Sequence, residues 1–206
     1  MELVVFTGNR GVGKTLGMSV YAEYLKRKTG CLVFSNYGLA DAYDFYSFSD
    51  FKKVCKCGHS LVLLDECHND IDSMDRSSSV RYFSHIVFYL RKLNCTLFMT
   101  TPIFKNVSSR VRAVTDVLVE VSKDNKFFYY DFYDVQRDFK HLKRLRLLKS
   151  LAFSLAGEIY DTRGIVTPLI YPEKSSDFIS LLDEIKQGIL HLNDFREASS
   201  PRGSVE

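Results

Sequence analysis

Gly8-Asn9-Arg10-Gly11-Val12-Gly13-Lys14-Thr15 is the stretch whose reading decides the fold. It fits the pattern G-x-x-x-x-G-K-[ST], which means a phosphate loop only where a strand precedes it and a helix follows. Both flanks comply. Residues 2–7, ELVVFT, make a short β-branched and apolar run suited to a buried strand. From Leu16 onward, Met18, Tyr21, Ala22 and Leu25 recur on one helical face. A loop in that position aims its backbone N–H groups and the next helix N-terminus at an anion. Glycines at 8, 11 and 13 let the backbone wrap closely. The expected ligand is a nucleoside triphosphate with Mg2+, held by Asn9, Arg10, Gly11, Val12, Gly13, Lys14, Thr15 and Leu16. Lys14 reaches the β- and γ-phosphates, and the Thr15 hydroxyl ligates the metal.

Ser60-Leu61-Val62-Leu63-Leu64-Asp65-Glu66 is the second informative stretch. An apolar run ending in two carboxylates suits a buried parallel strand whose C-terminal end opens on a site. Asp65 then holds the metal with Thr15, and Glu66 polarises the attacking water. A base directly after the metal-binding acid suits an NTPase better than a small-molecule kinase. Thr100 or Thr101, closing the run Cys95–Thr101 before Pro102, is a candidate sensor of the γ-phosphate or water, and Thr101 is the catalytic candidate of the two.

The chain has 206 residues, 46% of them apolar, with sixteen Phe and no Trp. One α/β domain with a short appendage is the simplest organisation. A net charge of +3 is too small to argue for nucleic acid without a local patch. Five cysteines in a chain of this size read as reduced thiols. Cys55, Cys57 and His59, with Cys67-His68, invite a zinc reading, but the first spacing is tighter than the usual pair. No leader is expected ahead of residue 2, and no run is long enough to cross a bilayer, so the chain is not expected to be transmembrane.

Further along, Lys26-Arg27-Lys28 before Gly30 reads as a helix end, 32–36 as a strand and 48–56 as a short helix in a loop. Phe83, Ile86, Val87, Leu90 and Leu93 make a helical face closed by Arg91-Lys92. Val117–Val121 and Phe127–Tyr133, joined at Asp124-Asn125, read as a hairpin. Leu142, Leu145, Leu148 and Leu151 among Arg137, Lys140, Lys143, Arg144, Arg146 and Lys149 read as a basic amphipathic helix, with DNA, anionic lipid or solvent on its charged face. Ile179, Leu182, Ile185, Ile189 and Leu192 mark a closing helix. The expected organisation is a core over 1–136, a helical extension over 137–196 and a loose tail over 197–206.

GNRGVGKT, then LVLLDE, then LRKLNCTLFMTTP, then SSRVR before an apolar strand resembles the FtsK–HerA superfamily of P-loop ATPases over about residues 2–135. Within it, the small size is most similar to the genome-packaging ATPases of archaeal turreted icosahedral viruses. The resemblance implies a RecA-like (ASCE-type) α/β fold, with a mainly parallel central sheet flanked by helices, a terminal β-hairpin and a helical C-terminal part. It also implies ATP hydrolysis, a homo-oligomeric ring, usually of six, and translocation of double-stranded DNA. Capsid vertex or internal-membrane proteins would be further partners, in the cytoplasm of an infected host. A neighbouring subunit's arginine completes such a site; Arg91 matches it best, with Arg76, Arg110 and Arg112 as fallbacks. The family commonly carries Gln where this chain has Thr100-Thr101. Two other readings stand beside it: a filamentous-phage-type assembly or export ATPase with toxin-like relatives, and a nucleotide-switched binding module.

Overall fold

Strand β1 (Leu3–Thr7) sends Leu3 and Val5 into one hydrophobic core and Val4 and Phe6 into another. A strand apolar on both faces needs cover on both, and the fold supplies it with two helical layers. The structure is a computed structural model that describes residues 3–67, 78–160 and 166–199, of which 191–199 by backbone alone. His68, Asp70, Asp72, Asp75 and Arg76, with the tail from residue 200, lie outside the described residues.

After β1 come α1 (Lys14–Thr29), β2 (Leu32–Ser35), β3 (Tyr43–Asp44), α2 (Phe51–Val54) and β4 (Ser60–Leu64). Then follow α3 (Ser78–Val87), β5 (Cys95–Thr101), α4 (Ser109–Ala113), β6 (Val117–Lys123) and β7 (Phe127–Asp134). Strand β8 (Lys140–Leu148), α5 (Lys149–Ile159) and α6 (Ser175–Ser199) complete the described chain. The sheet order is β3-β2-β4-β5-β1-β6-β7-β8. Pairing is parallel from β3 to β6 and antiparallel from β6 through β7 to β8. This is the expected parallel sheet with its terminal hairpin.

Helices α1 and α5 cover one face, through Met18, Ala22, Ala152 and Ala156. The other face carries α2, α3, α4 and α6, with Phe51, Phe83, Val111 and Ile185 in its core. Helix α6 turns Phe178, Leu181, Ile185 and Ile189 inward, and Phe178 stacks on Tyr82 at 4.0 Å. Its buried stripe is therefore phased by Phe178, and Ile179 of the expected stripe is exposed. Gly30 ends α1 in the left-handed conformation, donating its N–H to Lys26 O. The short helix expected over 48–56 is a 3-10 turn at Phe48–Asp50 leading into α2. The helix expected to end at Arg91-Lys92 stops at Val87, and hydrogen-bonded turns carry the chain on to β5.

The basic helix expected near 137–151 is not there. Residues 140–148 are strand β8, which continues the sheet past the hairpin inside the stretch expected to be a helical extension. Two non-local facts outweigh the leucine spacing. Strand β7 has a free edge that a strand can pair, and Asp131 on it is a buried carboxylate. Arg144 of β8 meets Asp131 with two hydrogen bonds, Nε to Oδ1 at 2.6 Å and Nη2 to Oδ2 at 2.8 Å, and His141 approaches Oδ1 at 3.3 Å. Lys143 lies over the rings of Phe132 and Tyr21, at 4.6 and 5.0 Å. Two of the cations expected to face a partner therefore fasten β8 to the sheet.

The Arg144 guanidinium holds the Asp131 carboxyl below its usual value of 3.8. A carboxyl lowered in the fold adds stability that is complete above that value and is lost as pH falls through it. Arg144→Ala should lower Tm at neutral pH, and the gap from the parent should close below about pH 4. Thermal unfolding measured from pH 7 to pH 3 checks this; a gap independent of pH would contradict it.

Candidate active site

The C-terminal ends of β1, β4 and β5 lie level, with Thr7 opposite Thr101 and Leu64 opposite Met99. Strand β5 stands between the strand that feeds the phosphate loop and the strand that ends in Asp65. A side chain at the end of β5 can therefore touch both. That side chain is Thr100. Its hydroxyl donates to Asp65 Oδ1 at 2.6 Å and accepts the Glu66 backbone N–H at 3.0 Å. Asp65 Oδ2 accepts from the Thr15 hydroxyl at 2.9 Å. Thr15, Asp65, Thr100 and Glu66 thus form one hydrogen-bonded group across three elements.

Thr101, the expected catalytic threonine, is turned away: it is 2% exposed and its hydroxyl donates to Ile103 O at 3.4 Å. Neighbours on a strand point to opposite faces, and the sheet puts Thr100 on the side of the site. By the same rule Asp65 and Glu66 should diverge. They do not, because Glu66 adopts φ 54°, and this left-handed kink brings its side chain to the same cavity. A non-glycine residue held there stores strain, here next to the proposed metal-binding acid.

The phosphate loop wraps the start of α1. Gly13 has φ 96°, and a Cβ on it would lie 2.8 Å from the Phe128 ring, so no larger residue fits. The first turn of α1 contains no acidic residue, which leaves its N-terminus suited to an anion. Lys14 Nζ donates to Gly8 O at 2.8 Å and Asn9 O at 3.0 Å. Partial burial keeps its pKa below the ordinary lysine value, while Asp65 and Glu66 act in the opposite direction. Thr15 donates its proton to Asp65, so its oxygen lone pairs face away from that bond. A hydroxyl and a carboxylate oxygen side by side are hard donors that fit Mg2+.

Several partners were invisible in the sequence. Asn36, buried at the end of β2, donates to Asp65 O at 3.1 Å and accepts from Asp65 N at 2.8 Å. Ser19 donates to Thr15 O at 2.8 Å, so its contact with Tyr37 at 2.8 Å is made by the tyrosine hydroxyl. Burial pushes that phenol well above its usual pKa, so it stays a donor. On the other side, Lys123 at the end of β6 donates to Gly11 O at 2.7 Å, and Tyr130 donates to Gly13 O at 3.1 Å. These contacts came from residues far apart in the chain, with no local pattern to announce them.

The group opens on a cavity of about 630 Å³, lined by Gly11, Lys14, Asp65, Glu66, Thr100 and, farther along, aromatic residues of β7 and α5. Asn9 and Arg10 are exposed at the loop tip, Val12 is half-buried, and Leu16 is buried beneath the first turn of α1. Arg91 is elsewhere. It is exposed in the turn that enters the N-terminal end of β5, at the opposite end of the sheet from the loop. It does not join the cavity of its own chain. Among the described residues no cluster of three or more His, Cys, Asp or Glu side chains is arranged to hold a metal ion.

Known structures share this arrangement. The chain superposes on the N-terminal domain of zonular occludens toxin from Neisseria meningitidis with a TM-score of 0.53 and 17% identity, covering 78% of this chain and 98% of that one. It superposes on the genome packaging NTPase B204 from Sulfolobus turreted icosahedral virus 2, bound to ATP-gammaS, with a TM-score of 0.50 and 13% identity, covering 70% and 96%. The ATPase domain of a helicase matches with a TM-score of 0.50 and 10% identity, over 71% and 80%. The fold is that of the RecA-like P-loop NTPases. These likenesses are consistent with the FtsK–HerA resemblance of the motifs. No family model matches the sequence, and no curated protein does.

Thr100→Val keeps the shape of the side chain but removes the hydroxyl that joins Asp65 to Glu66. It should cut nucleotide turnover by about ten-fold or more, and Thr101→Val should leave turnover near the parent's. Steady-state phosphate release from both variants checks the assignment; equal losses would contradict it.

Proposed function

We propose that the chain is a Mg2+-dependent ATPase that moves double-stranded DNA, as in packaging a viral genome. The observation that carries hydrolysis is the single hydrogen-bonded group of Thr15, Asp65, Thr100 and Glu66 at the mouth of the phosphate loop. The loop N–H groups and Lys14 hold the triphosphate, and Lys14 draws charge from the γ-phosphoryl as its bond to the leaving oxygen breaks. Thr15 and Asp65 hold the metal, which when bound screens the β- and γ-oxygens. Glu66 accepts a proton from the attacking water. Thr100 is a positioning residue that fixes both acids. Arg91 acts in trans: its place at the far end of the sheet fits an arginine presented to a neighbour in a ring, and a guanidinium can bind two phosphoryl oxygens at once.

DNA as the moved polymer is supported by the likeness to a genome packaging NTPase. A specific observation favours the second reading, an assembly or export ATPase: the toxin domain matches a larger share of the chain. No helix among the described residues is long and apolar enough to cross a membrane.

ATP turnover by the purified chain, alone, with double-stranded DNA and with anionic vesicles, separates the readings. The proposal expects stimulation by DNA. Stimulation by vesicles alone would favour the export reading, and slow turnover indifferent to both would favour a nucleotide switch. Glu66→Gln should lower turnover by about 10²-fold while ATP still binds; Asp65→Asn should instead raise the Mg2+ concentration needed. Arg91→Ala subunits mixed with Glu66→Gln subunits should recover part of the activity that each lacks alone. Mixed oligomers that stay inactive would contradict the trans role.

A further inference from the structure

The cavity has two chemically distinct ends. At one lie Lys14, Thr15, Asp65, Glu66 and Thr100; at the other lie Phe128 of β7 with Phe153, Ala156 and Tyr160 of α5 and its end. Nothing about phosphate or metal calls for the second set. Residues 153, 156 and 160 follow one another at helical spacing, so they share a face. Ala152 and Ala156 are buried and seat α5 on the core, whereas Phe153 is 68% exposed. A large aromatic ring left this open at a cavity mouth has an uncovered flat face.

Its surroundings hold that ring beside the loop. The Phe153 and Phe128 centroids are 6.2 Å apart with the rings at 80°, an edge-to-face contact that covers at most one face of Phe153. Phe128 in turn fills the space beside Gly13, the residue that caps α1. The aromatic end is therefore tied to the last turn of the phosphate loop, and both ends belong to one cavity.

We propose that Phe153, backed by Phe128, stacks on the nucleobase of the bound nucleotide. This rests on the nucleotide reading of the phosphate loop and adds to it a specificity element from α5, beyond the stretch that carries the sequence motifs. A phenyl ring reads the π-face common to all bases, so ATP and GTP bind alike at this contact. The stack contributes on the order of ten-fold in affinity, and a ligand with phosphates but no base gains nothing from it.

The chain has no Trp, so Phe153→Trp introduces a single indole next to the expected base. Its emission should be quenched by MgATP and MgGTP and left unchanged by Mg-tripolyphosphate. Calorimetry should show Phe153→Ala binding ATP about ten-fold more weakly than the parent, with tripolyphosphate affinity unchanged. The exposed ring can be replaced without opening the core, and unchanged Tm would verify that. Parental ATP affinity in Phe153→Ala, or an indole unaffected by ATP that the chain demonstrably binds, would overturn the stacking site alone. A parent that binds neither ATP nor tripolyphosphate would instead overturn the nucleotide reading, and the stacking site with it.

Discussion

The hydroxyl of Thr100 is the joint on which the site depends. It reaches Asp65 in one direction and the Glu66 backbone in the other, while Asp65 reaches on to Thr15. This chain of contacts exists only because β5 lies between β1 and β4, with the C-terminal ends of the three strands level. A slip of one residue in the β5 register would exchange Thr100 for Thr101 and leave Asp65 with one partner fewer. Asn36 grips the Asp65 backbone from β2, and Ser19 with Tyr37 grips the first turn of α1. The acids are thus fixed by backbone and hydroxyl contacts before any ligand contributes, which is the preorganisation that electrostatic catalysis requires.

The opposite flank is built from aromatic packing. Phe128 lies against Gly13, and Tyr130 lies so close to Gly17 that a Cβ there would fall 2.0 Å from its ring. The phosphate loop therefore leans on β7, and β7 is held in turn by β8 through the Arg144–Asp131 pair. The antiparallel end of the sheet supports the loop, so the stretch after residue 136 contributes to the site and not only to the surface.

What could be read in the sequence was local. The phosphate loop is contiguous, and the Asp65-Glu66 pair announces itself at the end of an apolar run; both stand where the fold needs them. The choice between Thr100 and Thr101 was not readable, because it depends on which face of β5 meets Asp65. The basic stretch misled for a similar reason. Leu142, Leu145 and Leu148 suit a helix by spacing, and the turn before β8 lacks the usual Asn-Gly signal: Asp138 and Phe139 take φ 50° and 56° without a glycine. Only the free edge of β7 and the buried Asp131 decide in favour of a strand. Asn36, Tyr37, Lys123 and Phe153 meet the loop or its cavity across long stretches of chain and carry no signature that a one-dimensional reading can find.

The most direct test of the central claim, that Lys14, Thr15, Asp65 and Glu66 form one nucleotide-hydrolysing centre, is an experimental structure with Mg2+ and a non-hydrolysable ATP analogue. The account predicts the triphosphate within the 8–15 loop, with Lys14 on its terminal phosphates. The metal should lie about 2.0–2.1 Å from the Thr15 hydroxyl, with Asp65 against its water shell and Glu66 facing the γ-phosphorus. A nucleotide bound away from the loop, or a metal held without Thr15 and Asp65, would contradict it.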